Sequence, residues 1–192
     1  MSKKILYLSC HEILEYDEVK LFSEMGHEVY SLGAYTQPGG EENRKRPPLD
    51  LPYDPHFIEL SLQYPKERLH REILEGIDIV IVMHVTEWIT NNWELFKEFI
   101  DRGGRVIWRS IGQSIPARGE ELREARNQGL EVVGYSPAEM TIKDNIGQDV
   151  MIRFYKDPDE YKDWNGSDNR VTNFAHCTLS RRDHLRRLRF QP

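Results

Sequence analysis

The stretch KILYLSCHEILEYDEVKLFSEMGHEVYSLG, residues 4–33, decides the fold. KILYLSC (4–10) is an apolar run without polar alternation, the pattern of a strand buried on both faces of a parallel sheet. Val19, Leu21, Phe22 and Met25 then recur at roughly helical spacing, which predicts a helix over 16–25. Gly26 stops it at a left-handed cap position. HEVYSLG (27–33) reads as a second strand. Strand, helix and strand in this order form a right-handed parallel crossover unit.

The same alternation continues downstream. IDIVIVMH (77–84) is a second doubly buried strand, preceded by a helical pattern from Pro65 to Leu74 that Gly76 ends. Asn91 or Asn92 is placed to cap a helix through Ile100, stopped by Gly103-Gly104. RVIWRS is the next strand. A charged helix over 118–128 ends at Gly129, LEVVGYS (130–136) is another strand, and Pro137 can open a short helix. Gln148 to Tyr155 is extended. The reading is an α/β chain: a Rossmann-like, doubly wound, mostly parallel sheet with helices on both faces. It assigns residues 1–155 to that domain, 156–169 to a linker, and 170–192 to a stub of a second domain or a tail. Residues 36–55 are rich in proline, glycine and charge and form a long loop, a candidate lid.

Composition narrows the partners. A length of 192 residues suits one generous domain. A formal net charge of -6 gives a nucleic-acid partner no general electrostatic support. The tail RRDHLRRLRF (181–190) is basic, but it stands alone against that balance. Cys10 and Cys177 show no metal spacing and suit reduced thiols in the cytoplasm. No stretch approaches the roughly 20 apolar residues of a membrane span, and none reads as a signal-peptide core.

In doubly wound sheets, ligands bind outside the carboxyl ends of the strands. VIWRSIGQS (106–114) is the strongest such end. Arg109 offers a planar fork to phosphate or carboxylate, and Gln113 both donates to and accepts from a sugar hydroxyl. Ser110 adds a hydroxyl, and Gly112 lets backbone N–H groups approach a ligand. His84, ending its strand, is a candidate acid or base near neutral pH. His11 and Glu12 follow the first strand in what reads as a loop. For each, the plainer alternative is a polar group satisfying its own turn. Trp88 and Trp93 suit core packing better than a glycan platform. His84 and Glu87 are two candidate ligands without a third, so no metal site is expected.

Four segments resemble the N-terminal, acceptor-side half of a family 4-like glycosyltransferase of the GT-B fold. They are KILYLSC with FSEMGHEVYSLG, GIDIVIVMHV, VIWRSIGQS, and MIRFYKDPDEYKDWNG; RVTNFAH then resembles the start of the second domain. The likeness runs over roughly residues 3–177. It departs at His11-Glu12-Ile13-Leu14, which lacks the family's glycines, and at Phe154-Tyr155, where a glycine is expected. The resemblance implies sugar transfer from a nucleotide-sugar co-substrate to an acceptor hydroxyl, with no resident cofactor. It also implies an acceptor wall formed by Arg109, Ser110, Gly112, Gln113, His11 and Glu12, with His84 as the catalytic candidate.

The chain ends soon after the donor domain would start. A donor-binding subunit or a second copy is therefore the expected partner, and the chain alone is expected to be inactive. A non-catalytic Rossmann-like module, binding a small ligand or a protein, is the alternative. A dinucleotide oxidoreductase is disfavoured, because no G-x-G-x-x-G follows the first strand. Receiver-type phosphotransfer is disfavoured as well, because Ser9-Cys10-His11 lacks paired aspartates.

Overall fold

A computed structural model describes residues 1–8, 12–32, 68–110, 119–134, 147, 149–152 and 155, and of residues 12–14 the backbone alone. The chain divides into two units, Met1–Asp157 and Pro158–Pro192. Every described residue belongs to the first. The 36–55 loop, the Pro137 helix, the 156–169 linker, the 170–192 segment and both cysteines lie outside the described residues.

The elements are β1 (Lys4–Leu8), α1 (Glu12–Glu24), β2 (Glu28–Leu32), a 3-10 turn (Arg71–Leu74), β3 (Ile79–Met83), α2 (Thr86–Thr90), α3 (Trp93–Asp101), β4 (Arg105–Arg109), α4 (Gly119–Asn127), β5 (Glu131–Gly134) and β6 (Val150–Met151). They build an α/β fold around one six-stranded sheet of order β2-β1-β3-β4-β5-β6. Every pairing is parallel. The order reverses between β1 and β3, so β1→β2 and β3→β4→β5 step in opposite directions. Right-handed crossovers that step in opposite directions must place their helices on opposite faces.

The two cores obey that rule. Ile5, Tyr7, Val29, Ile81 and Met83 pack with Val19 and Phe22 of α1 on one face. Leu6, Leu8, Val80, Val82, Val106, Trp108 and Val132 pack on the other with Ile89 of α2, Phe96 and Phe99 of α3, and Leu122 and Ala125 of α4. Alternation along each strand sends consecutive side chains to different cores.

Three helices end alike. After α1, His27 N–H bonds Phe22 C=O at 3.1 Å and Gly26 N–H bonds Ser23 C=O at 2.9 Å, with Gly26 at φ 83°. This is the Schellman pattern, which needs a left-handed residue at that point. The same bond pairs close α3 at Gly103-Gly104 and α4 at Gly129-Leu130. At α3 the Phe99 ring lies over Gly104, where a Cβ would sit 2.3 Å from it.

Several expectations need correction. The first helix begins at Glu12, not Tyr16, so the segment read as a loop after His11 is helical from its second residue. Among its described side chains the buried set is Glu15 to Val19, while Met25 lies exposed beyond the helix. The Pro65–Leu74 pattern yields only the 3-10 turn among the described residues. The reason is Asn92: it precedes α3 but makes no side-chain cap bond. Its amide instead accepts Leu69 N–H at 2.7 Å and donates to Trp88 C=O at 2.8 Å. That anchorage holds the entry to the turn in a non-helical path. Short α2 was not anticipated; five residues carry little periodicity. No helix among the described residues is long and apolar enough to cross a membrane.

Candidate functional site

The last two residues of β4, Trp108 and Arg109, face opposite cores, and each organises a different part of the carboxyl edge. Arg109 faces α1. Its Nη2 lies 2.6 Å from Glu18 Oε1, with both side chains buried. The Tyr7 hydroxyl donates to Glu18 Oε2 at 2.7 Å. One carboxylate on α1 therefore ties β1 to β4 across the intervening β3. One helical turn earlier, Glu15 Oε1 accepts Ser31 Oγ–H at 2.7 Å, tying in the end of β2. Glu15 and Glu18 share a helix face by their i,i+3 spacing. Asp17 is also buried.

These groups perturb one another. Burial pushes the Glu18 carboxyl above its ordinary value, and the Arg109 charge and the Tyr7 and Arg109 hydrogen bonds oppose that rise. Burial also holds the Tyr7 phenol well above its usual range, reinforced by the neighbouring Glu18 charge. The assembly keeps Tyr7 neutral as a donor and gives Glu18 a cation as its main partner. Its chemistry is positional: it fixes the carboxyl end of β4.

On the other side of β4, the parallel ladder extends past β3. His84 N–H donates to Arg109 C=O at 2.9 Å. The chain then turns sharply. Val85 N–H bonds Met83 C=O at 2.7 Å, with His84 between them at φ 66°. An i→i+2 bond about a residue of positive φ is the rare, strained γ-turn. His84 is the one non-glycine residue of positive φ among the described residues. Its carbonyl accepts the Trp108 indole N–H at 3.1 Å. Next in β4's line, Ser110 is buried, and its N–H donates to Val133 C=O at 3.0 Å.

The structure thus brings His84, Arg109 and Ser110 together at the carboxyl ends of β3 and β4. Arg109 turns its guanidinium inward to Glu18. Gly112, Gln113 and His11 lie outside the described residues, and of Glu12 only its place as the first residue of α1 is described. Trp88 and Trp93 pack against the larger core, and Trp93 Nε1–H donates to Gln128 Oε1 at 2.9 Å. Among the described residues no group of three or more His, Cys, Asp or Glu could hold a metal ion.

Sequence reasoning missed Glu15, Glu18, Tyr7 and the role of Trp108. The acids in EILEYDEV drew no reading from the sequence; the available signal was Glu15 and Glu18 on one helical face directly after a buried strand. No protein-family model matches this chain, and no curated protein matches it in sequence.

Proposed function

We propose that the chain is the acceptor-side half of a GT-B-type glycosyltransferase, transferring a hexosyl group from a nucleotide sugar to an acceptor hydroxyl. The observation that carries the reading is the strained turn at His84, on the carboxyl edge of a doubly wound parallel sheet beside Arg109 and Ser110. Strained backbone clusters at functional sites, and ligands bind this edge in such sheets. The sequence resemblance supplies the reaction class.

In that reaction the acceptor oxygen attacks the anomeric carbon. The nucleoside diphosphate leaves with the electrons of the broken C–O bond, and the hydroxyl proton passes to a base. His84 is the base. Ser110, Gly112 and Gln113 bind acceptor hydroxyls, together with His11 and with Glu12 at the start of α1. Arg109, held by Glu18, fixes the end of β4 that leads into Ser110. Donor binding falls to a donor-binding domain or subunit.

The test is a screen of nucleotide sugars by thermal shift and by donor turnover, on the chain alone and combined with the products of neighbouring genes. Donor-dependent turnover in the combined sample supports the transferase. Absence of binding and of turnover in both samples removes it. A non-catalytic binding module is the second reading. The inward-turned Arg109 favours it over catalysis, because a side chain assigned to the acceptor wall is engaged with Glu18 instead. Ligand binding without turnover would select it.

A further inference from the structure

We propose that Trp108 is the positioning residue for His84: its indole N–H holds the strained turn that sets the histidine on the carboxyl edge. The proposal rests on the reading of His84 as a site residue, and it adds a residue that this reading did not include.

Three backbone groups of the turn have partners that fix its path. His84 N–H goes to Arg109 C=O, Val85 N–H goes to Met83 C=O, and His84 C=O receives Trp108 Nε1–H. The first bond continues the ladder between β3 and β4, in register with Met83↔Arg109. It would form whatever turn followed. The second closes the turn on itself. The third is the only one of the three that reaches from a side chain of another strand to the His84–Val85 peptide. That peptide's orientation distinguishes a positive φ at His84 from an ordinary extended exit.

Trp108 is well suited to hold it. The side chain is 4% exposed and sits in the larger core between Val82 and Val132, its neighbours in register on β3 and β5. A ring fixed on all sides places its N–H with little conformational freedom. A buried indole N–H also needs an acceptor, so the two requirements reinforce each other. Non-glycine residues seldom adopt positive φ, so the turn persists only where surrounding structure enforces it.

The first measurement uses the full-length wild-type chain. The Trp108 indole proton exchanges slowly with solvent if the bond is made; exchange as fast as a free indole overturns the proposal without any variant. The second compares Trp108→Phe with the control Trp93→Phe, which loses an indole bond elsewhere. The His84 ring cross-peaks, assigned through His84→Asn, should shift or split in Trp108→Phe and stay in place in Trp93→Phe. Superimposable His84 signals in folded Trp108→Phe would overturn it.

The third measurement is a double-variant cycle. His84→Gly relieves the positive φ and should raise Tm by about 2 °C or more with Trp108 present. With Phe at 108 the gain should vanish, because the unrestrained turn has already relaxed. An equal gain in both backgrounds counts against Trp108. None of these readouts uses a nucleotide sugar, so they stand or fall apart from the transferase reading.

Discussion

Arg109 and Glu18 meet as a buried ion pair 2.6 Å apart, one from the end of β4 and one from the first turns of α1. The pair spans the point where the strand order reverses. Removing one partner strands the other charge in a poorly solvated place. Arg109→Ala should therefore destabilise the fold by about 3–5 kcal/mol, whereas Arg109→Met with Glu18→Leu should recover much of that loss. Urea unfolding of Arg109→Ala and of the double variant checks this. A double variant no more stable than Arg109→Ala would show that the pair is not isolated from its neighbours.

Tyr7 supplies a pH dependence of definite sign. Its phenol is raised by burial in the folded state, so the native state keeps the proton above pH ~10, where the unfolded chain releases it. Stability contributed by the neutral phenol is complete below that value and falls as pH rises toward the folded value. Tyr7→Phe should lower stability at neutral pH by about 1 kcal/mol or more through the lost hydrogen bond. It should also flatten the alkaline decline in Tm. An unchanged alkaline slope would remove Tyr7 from that transition.

Glu18 acts with the same sign at lower pH. Its carboxyl is raised by burial, so its contribution falls as pH rises through the interval between the ordinary carboxylate value and the raised one. Glu18→Gln should abolish that decline while preserving an acceptor for the Tyr7 hydroxyl. Tm measured from pH 4 to 8 in both proteins reads it directly.

His84→Asn separates the imidazole from the turn, since asparagine tolerates positive φ better than most residues. The variant should keep the wild-type Tm and lose about 10²–10⁴-fold in donor-dependent turnover, the usual contribution of a general base. Retained turnover would move the base elsewhere.

Gly104→Ala tests the end of α3. The added methyl meets the Phe99 ring in a site already filled. The expected loss is about 1–3 kcal/mol, the usual cost of overpacking. Calorimetry that shows no loss would mean that Phe99 can swing aside.

The parallel sheet was legible because apolar runs such as ILYL and IVIVM have no polar face to spare, and glycines such as Gly26 mark helix ends through local chain geometry. Glu18 was not legible. An acid on a helix is called buried or exposed only by what packs over it, and its partner Arg109 lies far along the chain. Asn92 misled for a related reason: its amide can cap the helix that follows or bond a distant backbone, and the contact with Leu69 decided between them. His84 was singled out for its imidazole and its place at a strand end. The turn beneath it needed β4 to be visible, because its backbone bonds run to Arg109 and Trp108.

The reversal of strand order also bears on how the chain assembles. Ile5 is flanked by Val29 on one side and Ile79 on the other. The first contact closes a short crossover through α1, while the second must wait for a loop more than twice as long. Longer loops cost more entropy before their contacts reward it. The two directions of winding then behave as two nuclei, 4–32 and 79–134, which zip together along β1 and β3.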